Sequence, residues 1–361
     1  MKARFIRFLL MATVVLGAGY VVSSCSTDDA VIPVVKTDLI AAIDAANSLL
    51  ATTSEGVAAG NYIKGSKAPL IVAVDAAQDV ADDATATQVT VTNAGVALAA
   101  AVATYDSQKV VPIDPANLVG QWTFDEITSA VAGAVIKDYS GNGRNGTIKE
   151  GHSFWGAGLP VLAADRYGDD NKALHFDKGS NVEIPYNAAL NPTEMSVSMW
   201  AKADVNDPIV NNQYMISLNR WNGFKLNFQD SPKAFFTAKA DVVGNPDPQY
   251  YDRDNASPLV TQGKWWHIVV TFGNGHMIFY LDGVMVKDWD NTPGTAVSLS
   301  ADPVNLVFGQ DLPTSKYETV DTSPYYVNWG GFYIGTLDEV RMYKSVLTAS
   351  QVTSIYEVEK P

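Results

Sequence analysis

All eight tryptophans of this 361-residue chain fall after residue 115. Aromatic rings bring the largest single burial areas, so the two parts of the chain must build their interiors differently. At this length two domains are the default expectation. Residues 36–107 are rich in alanine, valine, aspartate and threonine, and here the apolar positions follow a helical period. Leu39, Ile43, Ala46 and Leu50 share one face of a first helix. A second begins near Ser66, tolerates Pro69 in its first turn, and carries Leu70, Val74, Ala77 and Ala81. A third places Val91, Gly95, Leu98, Val102 and Tyr105 on one stripe. Its Val89-Thr-Val-Thr92 run favours a strand locally, so periodicity is set against propensity. Three such segments predict a small three-helix bundle.

Val110-Val-Pro-Ile-Asp-Pro115 breaks the pattern. Two prolines disfavour helix at the residues before them, which predicts a stiff linker over 108–115. Beyond it, residues 116–361 read as roughly a dozen short alternating runs separated by turn residues. Met277–Leu281, Asp282-Gly283 and Val284–Val286 form a strong hairpin signal, because Asp-Gly suits a type I′ turn. One late helix is expected, with Thr348 and Gln351 spaced as a capping box. The fold class is therefore a small all-α three-helix bundle followed by an all-β two-sheet sandwich or jelly roll.

The chain holds one cysteine, Cys25, which excludes intrachain disulfides and thiolate zinc sites. Residues 1–24 read as an export signal: Lys2, Arg4 and Arg7, then an apolar run from Phe8 to Val22 too short for a confident membrane span. Val22-Ser-Ser-Cys25 resembles a bacterial lipobox, which implies that Cys25 is lipidated and begins a tether over 25–35. Acyl chains in pairs anchor stably where one is marginal. Ser26-Thr-Asp-Asp29 resembles the acidic tract that sends lipoproteins to the outer face of the outer membrane. Without residues 1–24 the chain has 22 Lys+Arg against 39 Asp+Glu, a formal −17. Such a charge disfavours nucleic acid, whose binding needs clustered cations.

The segments "LLATTSEGVAAGNYIKGSKAPL" and "AAQDVADDATATQV" resemble FIVAR-like bundles of bacterial surface proteins, which implies a spacer over 36–107 without chemistry of its own. "VGQWTFDE", "KDYSGNGRNGTI", "KALHFDKGSNVEIP", "LNPTEMSVSMWAK", "WWHIVVTFGNGHMIFYLDGVMV" and "GTLDEVRMYKSVLTASQV" arrive in the order of laminin-G-like, concanavalin A-like modules. The resemblance covers 116–361, implies a jelly roll, and leaves function open, since this sandwich hosts lectins, adhesins and hydrolases.

Retaining glycosidases need two carboxyls about 5 Å apart on one face. No alternating acidic strand of that kind occurs. In Thr336–Tyr343 the neighbours Asp338 and Glu339 should point to opposite faces, so a hydrolase is not expected. His152, His175, His267 and His276 lack metal or acid–base spacing, and the Ser140-Gly-Asn-Gly143 stretch reads as a tight turn. The family resemblance implies a structural Ca²⁺ pinning first strand to last, held by Asp125, Asp338 and a carbonyl at Gly141; six to eight oxygens would be required.

Sugar recognition needs flat rings plus directional polar groups. Trp122, Trp200 and Trp265 fall at core positions. Two inserts, 241–262 and 310–331, offer Tyr250, Tyr251, Tyr325, Tyr326 and Trp329, and the turn Arg220-Trp221-Asn222 adds a third candidate. The expectation is a lipid-anchored surface protein, touching the membrane through its anchor alone. Its lectin-like head would capture a polysaccharide for a neighbouring uptake system. An adhesin binding host protein or matrix through the same loops is the alternative.

Overall fold

A computed structural model describes residues 33–205, 212–229 and 232–361. The signal segment and Cys25 lie outside the described residues. The three predicted helices form as α1 (Thr37–Thr52), α2 (Lys67–Asp82) and α3 (Gln88–Ser107). Their interior is Leu39, Ile43 and Ala46 from α1, Leu70, Val74 and Ala77 from α2, and Val91, Leu98 and Tyr105 from α3. Thr87 settles the conflict over Val89–Thr92: its hydroxyl accepts from Thr90 N at 3.2 Å and caps α3. Burial of Val91 and Leu98 then outweighs the strand preference of the β-branched residues. Tyr62 stacks on Tyr105 with centroids 4.1 Å apart and closes one end of the bundle.

The linker is held as well as stiff. Val111 N donates to Ser354 Oγ at 3.0 Å, Gln351 Nε2 donates to Pro112 O at 2.9 Å, and Ile113 packs against the cluster of Leu347 and Val352.

Two antiparallel sheets follow. The eight-stranded sheet runs Val284–Trp289, His276–Leu281, Trp266–Gly273, Met195–Ala203, Gly335–Tyr343, Ala173–Phe176, Val161–Ala163, with Leu118–Trp122 also paired to Gly335–Tyr343. The nine-stranded sheet runs Gln249–Asp254, Lys233–Asp241, Phe224–Gln229, Gln213–Leu218, Leu306–Phe308, Asn181–Ile184, Gly146–Lys149, Val135–Ile136, with Thr295–Ala296 beside Lys233–Asp241. Between them lies one apolar core, including Val197, Met199, Ile268, Val270, Leu226, Phe228, Phe236 and Phe308. Each such side chain contributes about 1.5–3 kcal/mol by leaving water. The hairpin forms as expected, Asp282 and Gly283 both having positive φ (49° and 77°).

Helix α4 (Ala349–Glu359) carries the predicted capping box of Thr348 and Gln351 and lies on the outer face of the eight-stranded sheet. Beneath it Tyr356 stacks over Trp200 at 5.9 Å, and Glu359 accepts from Trp200 Nε1 at 2.9 Å and pairs with Arg341 at 2.5 Å. Trp200 is thus buried under a helix, while Trp122 is buried between the sheets. Trp265 is only half-buried, with Lys202 Nζ 5.0 Å from its ring; its neighbour Trp266 takes the interior position.

The insert expected over 241–262 is partly strand. Gln249–Asp254 pairs with Lys233–Asp241, placing Tyr251 opposite Ala238. The second insert, 310–331, stays irregular, with two short 3₁₀ turns at Thr314–Lys316 and Val327–Trp329.

Candidate functional site

The outer face of the nine-stranded sheet carries a polar row. Register aligns Glu183, Val307, Ser217, Lys225, Thr237 and Asp252 across six strands, so all six share one face. Lys225 is 6% exposed; its Nζ lies 5.3 Å from the Tyr214 ring, 4.9 Å from the Phe235 ring and 3.3 Å from Asn227 Oδ1. Burial pushes this amine down to about 8, against the pull of Asp252 and Asp311.

Insert 310–331 is anchored on that face by Asp311, which has no exposure. Arg220 Nε and the Tyr317 hydroxyl both donate to Asp311, and Gly331 N donates to it at 3.3 Å. Arg220 Nη1 also donates to Pro324 O at 3.1 Å. Leu312, Tyr317 and Val327 of the insert form a small core with Val304, which precedes it. Arg220, expected to touch ligand, is 1% exposed. That expectation is corrected: its guanidinium holds the insert through Nε and Nη1, and Nη2 is buried without a partner.

The turn that aims Arg220 inward has local causes. Asn219 and Arg220 both adopt left-handed backbone, φ 58° and 55°. Asparagine tolerates this and arginine does so at a cost. Gly223 ends the turn where a Cβ would lie 2.3 Å from Leu218 O. Trp221 remains half-buried at the surface, 4.9 Å from the Arg220 guanidinium.

Beside this turn opens a cavity of about 470 Å³, lined by Asn219, Asn222, Lys239, Asp241, Leu299 and Asp302, among others. No aromatic ring is in that lining, but two of its charged residues each touch a tyrosine. The Tyr325 hydroxyl donates to Asp302 Oδ2 at 3.1 Å, and Lys239 Nζ lies 5.0 Å from the ring of Tyr250, which is 49% exposed. Burial works to raise Asp302, but hydrogen bonds from Tyr325 and Asn219 and the charge of Lys316 outweigh it and keep the carboxylate ionised. Rings with directed polar groups around a concavity suit a sugar. Trp329, also 49% exposed, packs edge-on to Tyr326 at 5.9 Å and forms a separate aromatic pair on the insert.

Tyr251 does not join them. It is 8% exposed and packs into the core 6.5 Å from Phe272, because strand alternation turns it opposite to Tyr250. Sequence reasoning missed Asn219, Lys239, Asp302 and Asp311. Only Asn219 carried a signal, as an asparagine before a turn; the others meet through strand pairing and loop return.

The acids of strand Gly335–Tyr343 depart from strict alternation. A bulge between Asp338 and Arg341, with Glu339 at φ 51°, brings both Asp338 and Glu339 to the side covered by α4. Each meets an arginine: Asp338 meets Arg166 at 2.6 Å and Glu339 meets Arg341 at 2.6 Å. Burial still lifts Asp338 to about 8, and Arg166 opposes that rise.

Asp125 is near enough to add to that rise, and Asp338 Oδ1 is buried without a hydrogen-bond partner. Gly141 does not come to them. Asn142 Nδ2 donates to Leu118 O and Val119 O, fastening that turn to the opposite end of strand Leu118–Trp122. Among the described residues no group of three or more His, Cys, Asp or Glu side chains is arranged to hold a metal.

Each histidine has a partner at one ring nitrogen, while His267 Nδ1 is buried without one. His175 meets Asp204 and His276 meets Asp288, each at 2.9 Å, while His152 Nδ1 accepts from Phe154 N. His267 is fully buried beside Ser198 Oγ at 3.0 Å, and burial lowers it to about 4.

Residues 176–353 match the family description of the concanavalin A-like lectin/glucanases superfamily. A stretch of 154 residues, 41% of this chain, is 34% identical to the surface-layer 125 kDa protein of Lysinibacillus sphaericus, and spans 13% of that protein's length. Among solved structures, domain 4 of an extracellular arabinanase from Geobacillus stearothermophilus, in complex with arabinotriose, is 20% identical. It aligns over 66% of this chain and 98% of that domain with a TM-score of 0.45. The binding domain of Paraclostridial Mosquitocidal Protein 1 is 17% identical over 67% of this chain and 52% of its own, also at 0.45. Among the described residues no helix is long and apolar enough to cross a membrane.

Proposed function

We propose that this chain, whose residues 176–353 form a domain of the concanavalin A-like lectin/glucanases superfamily, is a non-catalytic glycan-binding protein of the cell surface. The observation that carries the reading is the cavity beside Asn219–Asn222, lined by Lys239 and Asp302, which touch Tyr250 and Tyr325 respectively. Capture would be shallow, with rings stacking on sugar faces and amides and carboxylates taking hydroxyls. Modest affinity per site is offset when many copies are tethered on one surface. Cys25 would carry that tether as a lipid, with the head facing the exterior of the outer membrane and passing polysaccharide to a neighbouring uptake system. The likeness to a surface-layer protein supports a surface location.

A binding role without hydrolysis is supported by the two acids of the last strand, each neutralised by an arginine beneath α4. Calcium would be held by Asp125 and the unpartnered Oδ1 of Asp338, with carbonyls and water supplying the remaining oxygens. A broad glycan array tests the function. Retention on at least one polysaccharide without release of reducing ends is expected. Binding to matrix protein and to no glycan would favour an adhesin, and released reducing ends would overturn the non-catalytic reading.

A further inference from the structure

The cavity beside the Asn219 turn has an unequal supply of hydrogen-bonding groups. Asp241 and Asp302 bring two carboxylates to its lining, and Lys239 brings the one cationic side chain there. That amine lies 5.0 Å from the Tyr250 ring centroid. Lys316, the other cation at hand, is drawn onto Asp302 Oδ1 at 3.4 Å. Asn219 is 1% exposed; its Nδ2 is committed to Asp302 Oδ2 at 3.3 Å, and its Oδ1 is buried with no partner. A buried acceptor without a donor costs about 1–3 kcal/mol, so a ligand that supplies a donor recovers that cost. A ligand that brings another acceptor or an anion leaves Asn219 Oδ1 unsatisfied and meets the Asp302 charge at short range.

Resting on the glycan-binding reading, we infer that this cavity selects a non-acidic sugar unit, whose vicinal hydroxyls donate to Asn219 Oδ1 and the Asp302 carboxylate, and that it excludes uronate, sialate and sulfated sugars. Hydroxyl hydrogens on adjacent carbons lie close enough to serve both acceptors.

Affinity electrophoresis of the full chain tests this with galactan, mannan and mixed-linkage β-glucan, each beside the same polymer after oxidation of its C6 hydroxymethyl groups to carboxylates. The expected result is retardation by at least one unmodified polymer, at least about tenfold tighter than by its oxidised form. Asp302→Asn, at an exposed position, should keep its melting temperature and reduce that tenfold preference to about threefold or less. Equal or stronger retardation by the oxidised polymers would overturn the selectivity while leaving glycan binding intact. Unaltered preference in Asp302→Asn would remove the site from this cavity. No retardation by any polymer in either form would overturn the glycan reading and this inference with it.

Discussion

Arg220 closes onto Asp311 through its Nε, and the two side chains are 2% and 0% exposed. One belongs to a turn between neighbouring strands and the other opens an insert 91 residues further along the chain. The pair therefore fixes where Tyr325, Tyr326 and Trp329 stand relative to the sheet. Breaking a buried pair from one side strands a charge, which costs about 3–5 kcal/mol. Arg220→Met is expected to lose that much in urea denaturation and to speed amide exchange across 312–331. Arg220→Met with Asp311→Leu should recover only part of the loss: no charge is stranded, but the Tyr317 hydroxyl and Gly331 N lose their acceptor. A single variant costing under about 1 kcal/mol would show that the pair does not hold the insert.

Adjacent tyrosines should separate binding from folding. Tyr250 is 49% exposed and Tyr251 is 8% exposed in the core. Tyr250→Ala is expected to weaken retention on the bound polysaccharide with an unchanged melting temperature. Trp329→Ala should do the same if the aromatic pair on the insert extends the site. Tyr251→Ala should cost about 3–5 kcal/mol of stability, and its effect on binding should follow unfolding alone.

His267 gives a pH dependence. Burial lowers it to about 4, from an unfolded value near 6.5. Between those values the unfolded chain binds the extra proton, so stability rises with pH across the window and is lost as pH falls through it. The loss at pH 4 relative to pH 7 is on the order of 3 kcal/mol from this group. His267→Gln should flatten that part of the stability curve in denaturation series from pH 7 to 4. An unchanged slope would assign the acid sensitivity to other groups.

The calcium proposal predicts a ligand-dependent melting point. At about a hundred times its Kd, an ion bound by the folded state adds roughly 2.7 kcal/mol, or about 5–10 °C for a domain this size. Asp125→Asn should remove that increment. A melting temperature indifferent to chelator and to added calcium would remove the ion.

The helices, the hairpin and the capping box were legible because their signals are local. Leu39 and Ile43 recur within one helical turn, Asp282-Gly283 makes its own turn, and Thr348 reaches Gln351 three residues on. The jelly roll was legible because alternation repeats in strand after strand. Alternation misled in one place and was left unused in another. It makes Asp338 and Glu339 face apart, which the bulge undoes. It turns Tyr251 away from Tyr250 only once residues 249–254 are known to be a strand.

By itself the sequence determined the two units, their order, the class of each and the aromatic-rich segments near the site. Tertiary structure alone decided that Arg220 is an anchor and that Gly141 sits apart from Asp125 and Asp338. It also decided that Asn219, Lys239 and Asp302 line one cavity. The reason is distance along the chain: Asn219 and Asp302 are 83 residues apart yet hydrogen-bonded. No local period reports a contact made by strand order and a returning loop.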